Sequence, residues 1–229
     1  MPGRNRIATV GRQSPWLGPL LYLSCAQYFI VQVIVGEQWN PPYSWSRNTI
    51  SDLGNTFCGT FNGHAVCSPT HDLMNLSFVL LGVAMLIGSL LNRQANLAQR
   101  RSSIGFASME IAGAGAVLVG LFPENSVSAL HGLGAALAFV LGNLAIIVLG
   151  ATLKIPPLLR VVSVSLGVLA LTALVGYASS HFVGLGQGGI ERVVAFPQTV
   201  WLVVMGAYML MELRRTPPLS AQSGSPSLR

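Results

Sequence analysis

The stretch Thr70-His71-Asp72-Leu73-Met74-Asn75-Leu76-Ser77-Phe78-Val79-Leu80-Leu81-Gly82-Val83-Ala84-Met85-Leu86-Ile87-Gly88-Ser89-Leu90-Leu91 decides the fold. After one histidine and one aspartate at its start it is apolar without interruption by charge, and a bilayer needs only about 20 such residues at a rise of about 1.5 Å each. Five further runs read the same way: Trp16 to Val35, Ser103 to Phe122, Ala129 to Leu153, Val161 to Ser180 and Ile190 to Met211. The expected fold is therefore all-α: a polytopic membrane protein with six transmembrane helices in one domain over residues 15–212. Short tails, 1–14 and 213–229, flank it, the second expected to be disordered. Composition points to the same class, since 52% hydrophobic and 9% charged residues with a mean hydropathy of +0.59 stand far from the roughly 25% charged residues of soluble domains.

Six spans put both termini on one side, and the positive-inside rule says which. All but two of the 13 lysines and arginines lie in the tails or in the second-to-third and fourth-to-fifth connections; only Arg47 and Arg192 fall on the other side. Both termini are expected in the cytoplasm, with the protein in a bacterial inner membrane. The net charge of +6 is then a topology signal, with a preference for anionic lipid and no indication of nucleic acid. The apolar run from Trp16 is not read as a signal peptide, because it continues to Val35 and no small-x-small cleavage site follows. Cys25 thus lies inside the first span, as a buried thiol.

The loop over residues 36–69 is the only sizeable segment outside the bilayer. Cys58 and Cys67 share it, in the compartment expected to be oxidising, and a disulfide between them is expected. A metal pair with His64 is the alternative, but the nine-residue separation matches no usual zinc spacing, and His64 reads as a solvated loop residue. Trp39, Tyr43 and Trp45 suit the headgroup level. Ser46 to Leu53 reads as a short interfacial helix, either a lid over the bundle mouth or a membrane-surface clip.

Shifting the chain by 60 residues superposes Ser68-x-x-His71-x-Leu73 on Ser128-x-x-His131-x-Leu133 and Leu81-Gly82 on Leu141-Gly142; Glu191 stands at the next repeat. On helical spacing His71 shares a face with Asn75 and Gly82, His131 with Gly134, Ala138 and Gly142, and Glu191 with Gln198. These polar stripes are expected to face the bundle interior, since lipid is the wrong neighbour for them. A ridge of Ser108, Ala112, Ala116 and Gly120 is expected to pack on Gly134, Ala138 and Gly142, with the turn Pro123-Glu124-Asn125-Ser126 between. Each candidate has a plainer reading. Ser68 and Asp72 serve as N-terminal capping groups, His71 and His131 snorkel, His181 is a solvated loop residue, and Glu191 pairs with Arg192 to hold the Gly184–Gly189 turn. Glu110 lies about 10 Å inside the third span with no cation expected at its depth. It is expected to be protonated or hydrogen-bonded, with Asn143 at the matching depth on the fourth.

Ser51-Asp52-Leu53-Gly54 in the loop, His71-Asp72 opening the second span, Gly120-Leu121-Phe122-Pro123 ending the third, His131-Gly132 opening the fourth, and Gly189-Ile190-Glu191-Arg192 before Phe196-Pro197 together carry a resemblance. In this order the chain resembles the bacterial and archaeal membrane proteins grouped as domain of unknown function 998, over Pro15 to Met211. The resemblance implies a six-helix integral membrane protein and no established reaction.

Three functions are compatible with the residues. The first is a non-enzymatic or transport-associated protein whose outward pocket of Asp52, His71, Asp72, Asn75, His131, Glu191 and Arg192 binds a lipid headgroup or small solute, with membrane lipids as partners. The second is a zinc-dependent hydrolase of lipid at the outer leaflet, with His71, His131 and His181 as ligands and Asp52 or Asp72 as base. It resembles the alkaline ceramidase and adiponectin-receptor superfamily in outline but lacks that group's His-x-x-x-His pair. The third is a haem carrier using His71 and His131. On the zinc reading, elemental analysis finds a bound ion that His71→Ala or His131→Ala removes; metal content unchanged in both variants leaves the binding reading.

Overall fold

The computed structural model describes residues 14–95 and 100–215, so the N-terminal tail and residues 216–229 lie outside the described residues. Among the described residues six helices are long and apolar enough to cross a membrane: Leu17–Gly36, His71–Ala95, Arg101–Leu121, Ser128–Thr152, Pro157–Ala178 and Gly186–Arg215. They are called the first to sixth spans below. The fifth starts earlier than the hydropathy does, because Pro157 sits at a first helical position where its missing N–H is no loss. The sixth also starts early, since the glycine-rich stretch read as a turn is largely its first turn.

Two spans depart from regular α geometry. In the first, the N–H groups of Cys25, Ala26, Tyr28 and Phe29 bond three residues back rather than four, which tightens the helix near its middle. In the fourth, Leu137–Leu141 forms a π turn between Ser128–Ala136 and Gly142–Thr152.

Each span packs on its sequence neighbours and the sixth returns to the first, closing a six-helix ring. Tyr22, Met74, Met85, Met109, Ile146, Leu202 and Met205 fill its interior, while Ile30, Leu76, Ile104, Leu158 and Val175 point outward, as acyl chains require. Glycine sets how closely the helices approach. A Cβ at Gly113 would stand 2.6 Å from the Gly82 carbonyl oxygen and 2.7 Å from the Leu86 nitrogen, so the second and third spans touch backbone to backbone. The third and fourth meet through Gly115 and Gly134, where a Cβ on either would lie 2.6 Å from the other's carbonyl oxygen. The expected ridge is therefore divided: Gly120 packs on the second span at Asn75 and Val79, and Gly142 faces Gln198 of the sixth.

The long loop folds over one end of the ring. Gly59–Phe61 pairs antiparallel with His64–Val66, and the Cys58–Cys67 disulfide closes this hairpin at its base. The helix expected over Ser46 to Leu53 is a single 3-10 turn, Ser51–Gly54, with Asp52, Leu53 and Gly54 buried. Ile50 and Leu53 are fully buried, because the turn is pushed into the mouth of the ring.

Gly113→Ala is expected to lower the thermal unfolding temperature in detergent, since overpacking against backbone costs about 1–3 kcal/mol. Gly132→Ala, whose Cβ meets nothing within 4 Å, is expected to leave it unchanged or raise it by helix propensity.

Candidate functional site

The inserted turn is organised first by its own residues. Asp52 Oδ2 accepts the Thr49 N–H at 2.7 Å while Thr49 Oγ1 accepts the Asp52 N–H at 3.0 Å, a reciprocal pair of the capping-box kind. The same oxygen of Asp52 lies 2.8 Å from His64 Nε2. His64 is thus not a solvated loop residue. The tight hairpin turns it back onto a carboxylate that is 1% exposed, so Asp52 organises the loop.

The helices then grip this turn from three sides. Glu191, in the second turn of the sixth span and 3% exposed, accepts the Ile50 N–H, and its other oxygen lies 3.4 Å from Ser51 Oγ. His131 holds Ser51 from the fourth span: Nε2 lies 3.0 Å from Ser51 Oγ, and Nδ1 lies 2.9 Å from the Phe122 carbonyl oxygen. A carbonyl only accepts, so the neutral ring carries its proton on Nδ1, and Nε2 is left to accept from the serine hydroxyl. From the second span, Asn75 donates to the Gly54 carbonyl at 2.9 Å. Ser68 donates to Leu53 at 2.6 Å, so its hydroxyl secures the turn rather than capping the second span.

Arg192 does not pair with Glu191 to hold the glycine-rich segment. Its Nη1 donates to the carbonyls of Trp45, Asn48 and Gly188 at 2.8, 3.0 and 2.7 Å, and Nη2 donates to the Tyr43 hydroxyl. The guanidinium also lies over the rings of Trp45 and Tyr43 at 4.8 and 5.4 Å. Trp39 and Tyr43 are buried in this stack, their rings edge to face at 4.8 Å. The Ser46 carbonyl accepts the N–H groups of Gly188 and Gly189, which an N-terminal helical turn leaves without internal partners. Gly186 makes that approach possible, with φ +74 and a Cβ position that would collide with Ser46.

An acidic corner lies beside the turn. Glu124, in the third-to-fourth connection, accepts the Asn55 amide at 2.8 Å. Burial, and after it the Asp52 charge, push its carboxyl well above the ordinary carboxylate range, to about 8. Glu124, Asn55 and Ser51 were absent from the sequence-based candidates, although Thr49-x-x-Asp52 was a legible capping pattern.

Other expected site residues stand elsewhere. His71 meets Asp72 at 3.1 Å on the surface, where the aspartate side chain is 95% exposed. His181 is exposed and bonds to the Ser179 carbonyl. His71, His131 and His181 do not converge, and among the described residues no group of three His, Cys, Asp or Glu side chains is placed to hold a metal ion. Both ring nitrogens of His131 are engaged, by Ser51 and by the Phe122 carbonyl, while His71 meets Asp72. Glu110 has a cation after all, since the long Arg93 side chain reaches down from the end of the second span to 3.2 Å. Asn143 bonds not to Glu110 but to the carbonyls of Phe139 and Val194, tying the fourth span to the sixth.

Below Ser51 and Glu191 a cavity of ≈ 30 Å³ runs into the ring between Tyr28, Met85, Ala116, Phe139, Gln198 and Thr199, space for about two waters. Its wall includes the π turn, and the Oε1 of Gln198, a residue 4% exposed, has no partner among the described residues.

Fold and site together define a multi-pass integral membrane protein with a buried polar cluster at one end of its helix ring. The chain belongs to the family described as protein of unknown function (DUF998), whose family model matches residues 23–208. No curated protein and no solved structure matches it.

Because burial raises the Glu124 carboxyl, ionising it costs more in the folded protein than in the unfolded chain. Its contribution is full below the ordinary value of 4.5 and declines as the pH rises towards about 8. Glu124→Gln keeps an acceptor for Asn55 and removes the titration. Chemical unfolding followed over that window is expected to show the variant gaining stability relative to wild type as the pH rises; a difference independent of pH would refute this.

Proposed function

We propose that this six-span protein binds a small polar solute or a lipid headgroup at Ser51, His131 and Glu191, with residues 46–55 as a displaceable plug over the site. In this reading the loop end faces outward from a bacterial inner membrane and both termini are cytoplasmic, as the distribution of arginines favours. The observation that carries it is the pairing of Glu191. A carboxyl buried in a membrane span is satisfied by a loop N–H, with a loop hydroxyl 3.4 Å from its other oxygen, and a ligand's own donors replace these groups once the loop withdraws. The unpartnered Gln198 oxygen in the cavity wall adds an acceptor for such a ligand. Asp52 and Asn75 then belong to the plug and its latch, Arg192 anchors its outer end, and His71 and Asp72 lie outside the site.

A second reading rests on the Ser51–His131 contact, which sets a hydroxyl against an imidazole acceptor whose other nitrogen is fixed by Phe122. That arrangement suits acyl transfer without a metal. Ser51 Oγ attacks an ester carbonyl, His131 Nε2 takes the hydroxyl proton and passes it to the departing alkoxide, and water then releases the acyl group by the same route.

Mass spectrometry of molecules retained by the purified protein separates these readings from a purely structural site. Binding predicts a retained polar compound or lipid reduced about tenfold or more in Glu191→Gln and unchanged in Asp72→Asn. The acyl-transfer reading predicts fluorophosphonate labelling that is lost in Ser51→Ala and His131→Ala. Equal retention in wild type and Glu191→Gln, with no labelling, would sink both.

A further inference from the structure

The opposite end of the ring, where the described chain begins and ends, carries a larger opening that the plugged site does not involve. A cleft of ≈ 350 Å³ lies between the start of the first span, the ends of the second and sixth, and the fourth-to-fifth connection. That is within the ~300–1,000 Å³ range of small-molecule sites. Pro19, Leu153, Met205 and Met209 form apolar walls, and Lys154 and Tyr208 stand among its lining residues. The lining carboxylate, Glu212, is engaged by Arg215 at 3.1 Å, and among the described residues no carboxylate pairs with Lys154.

The surroundings are strongly cationic, for Arg93, Arg101, Arg160, Arg214 and Arg215 all belong to this end. Depth and chemistry select the occupant. The cleft sits where the spans end, at the level of lipid headgroups; it offers an apolar trough for an acyl chain, a phenol at interfacial depth and an ammonium for a phosphate. A water-soluble anion has no use for the methionine-lined trough, and a zwitterionic lipid places a cation of its own beside Lys154.

We propose that this cleft is a binding site for one anionic phospholipid, its phosphate on Lys154 and an acyl chain along Leu153, Met205 and Met209. The site is independent of the proposed loop-side ligand, lies at the other end of the molecule and needs no movement of the plug. Exposed Lys154 supplies the charge selectivity, and the methionines, flexible and polarisable, supply an adaptable wall for a disordered chain.

Native mass spectrometry of the full chain, with added phosphatidylglycerol or phosphatidylcholine of the same acyl composition, tests this directly. Wild type is expected to retain one phosphatidylglycerol in preference to phosphatidylcholine. Lys154→Ala should lower that preference about fivefold. Met209→Trp, which fills the trough and leaves the charge, should reduce retention of the lipid, whereas Arg214→Ala, outside the cleft lining, should change neither. Equal retention of the two lipids by wild type, or a loss in Arg214→Ala as large as in Lys154→Ala, would overturn the proposal, the second because it would mean a diffuse basic surface. Full retention in Met209→Trp would also overturn it, because the chain would then lie elsewhere.

Discussion

Two adjacent ionisable residues, Glu191 and Arg192, enter the helix ring at the start of the sixth span, and the loop-bearing end is arranged to satisfy them. Neither takes the other as its hydrogen-bond partner. The carboxyl takes the Ile50 N–H and the guanidinium takes the carbonyls of Trp45 and Asn48, so the backbone of one loop answers an acceptor and a cationic donor at once. Leaving a buried charge without such partners costs about 3–5 kcal/mol. That cost explains why a hydrophilic loop is drawn into an apolar mouth instead of lying on the membrane surface.

The loop is prepared for this role before it meets the helices. Thr49 and Asp52 close the turn on itself, the disulfide-tied hairpin delivers His64 to the same carboxylate, and Glu124 with Asn55 braces the far side. The polar groups of the insert are thus paired partly with one another and partly with the helices and connections around it. An insert held by many individually modest bonds is secure when all are made. It is also releasable as a unit when a few are exchanged for a ligand, which is the physical content of the plug proposal.

The two ends of the ring differ in kind. At the loop end the interior is closed by the chain itself and leaves room for little more than water. At the end bearing the described termini, short connections leave a cleft more than ten times larger, bordered by cations. Between them the ring is drawn together by glycines that let carbonyl meet backbone, at Gly82 with Gly113 and Gly115 with Gly134. The π turn in the fourth span faces the cavity, at the level where the ring is least regular.

Run length and hydropathy were enough, by themselves, to determine six spans, their limits to within a few residues, and the all-α class, because a bilayer imposes one length and one polarity on any helix that crosses it. The spacing of Cys58 and Cys67 in a single loop was likewise enough to indicate their disulfide. Only the tertiary structure decided which polar residues meet. His71 and His131 occupy matching positions in the 60-residue repeat, yet one faces a surface aspartate and the other a loop serine. Glu110 found Arg93 because a long side chain crosses depth that residue counting treats as fixed. His64, isolated in sequence, became the partner of Asp52 through a hairpin turn. Helical periodicity says which residues share a face; which neighbour that face meets depends on ring closure and on a loop folding inward, and both arise from contacts between segments far apart in the chain.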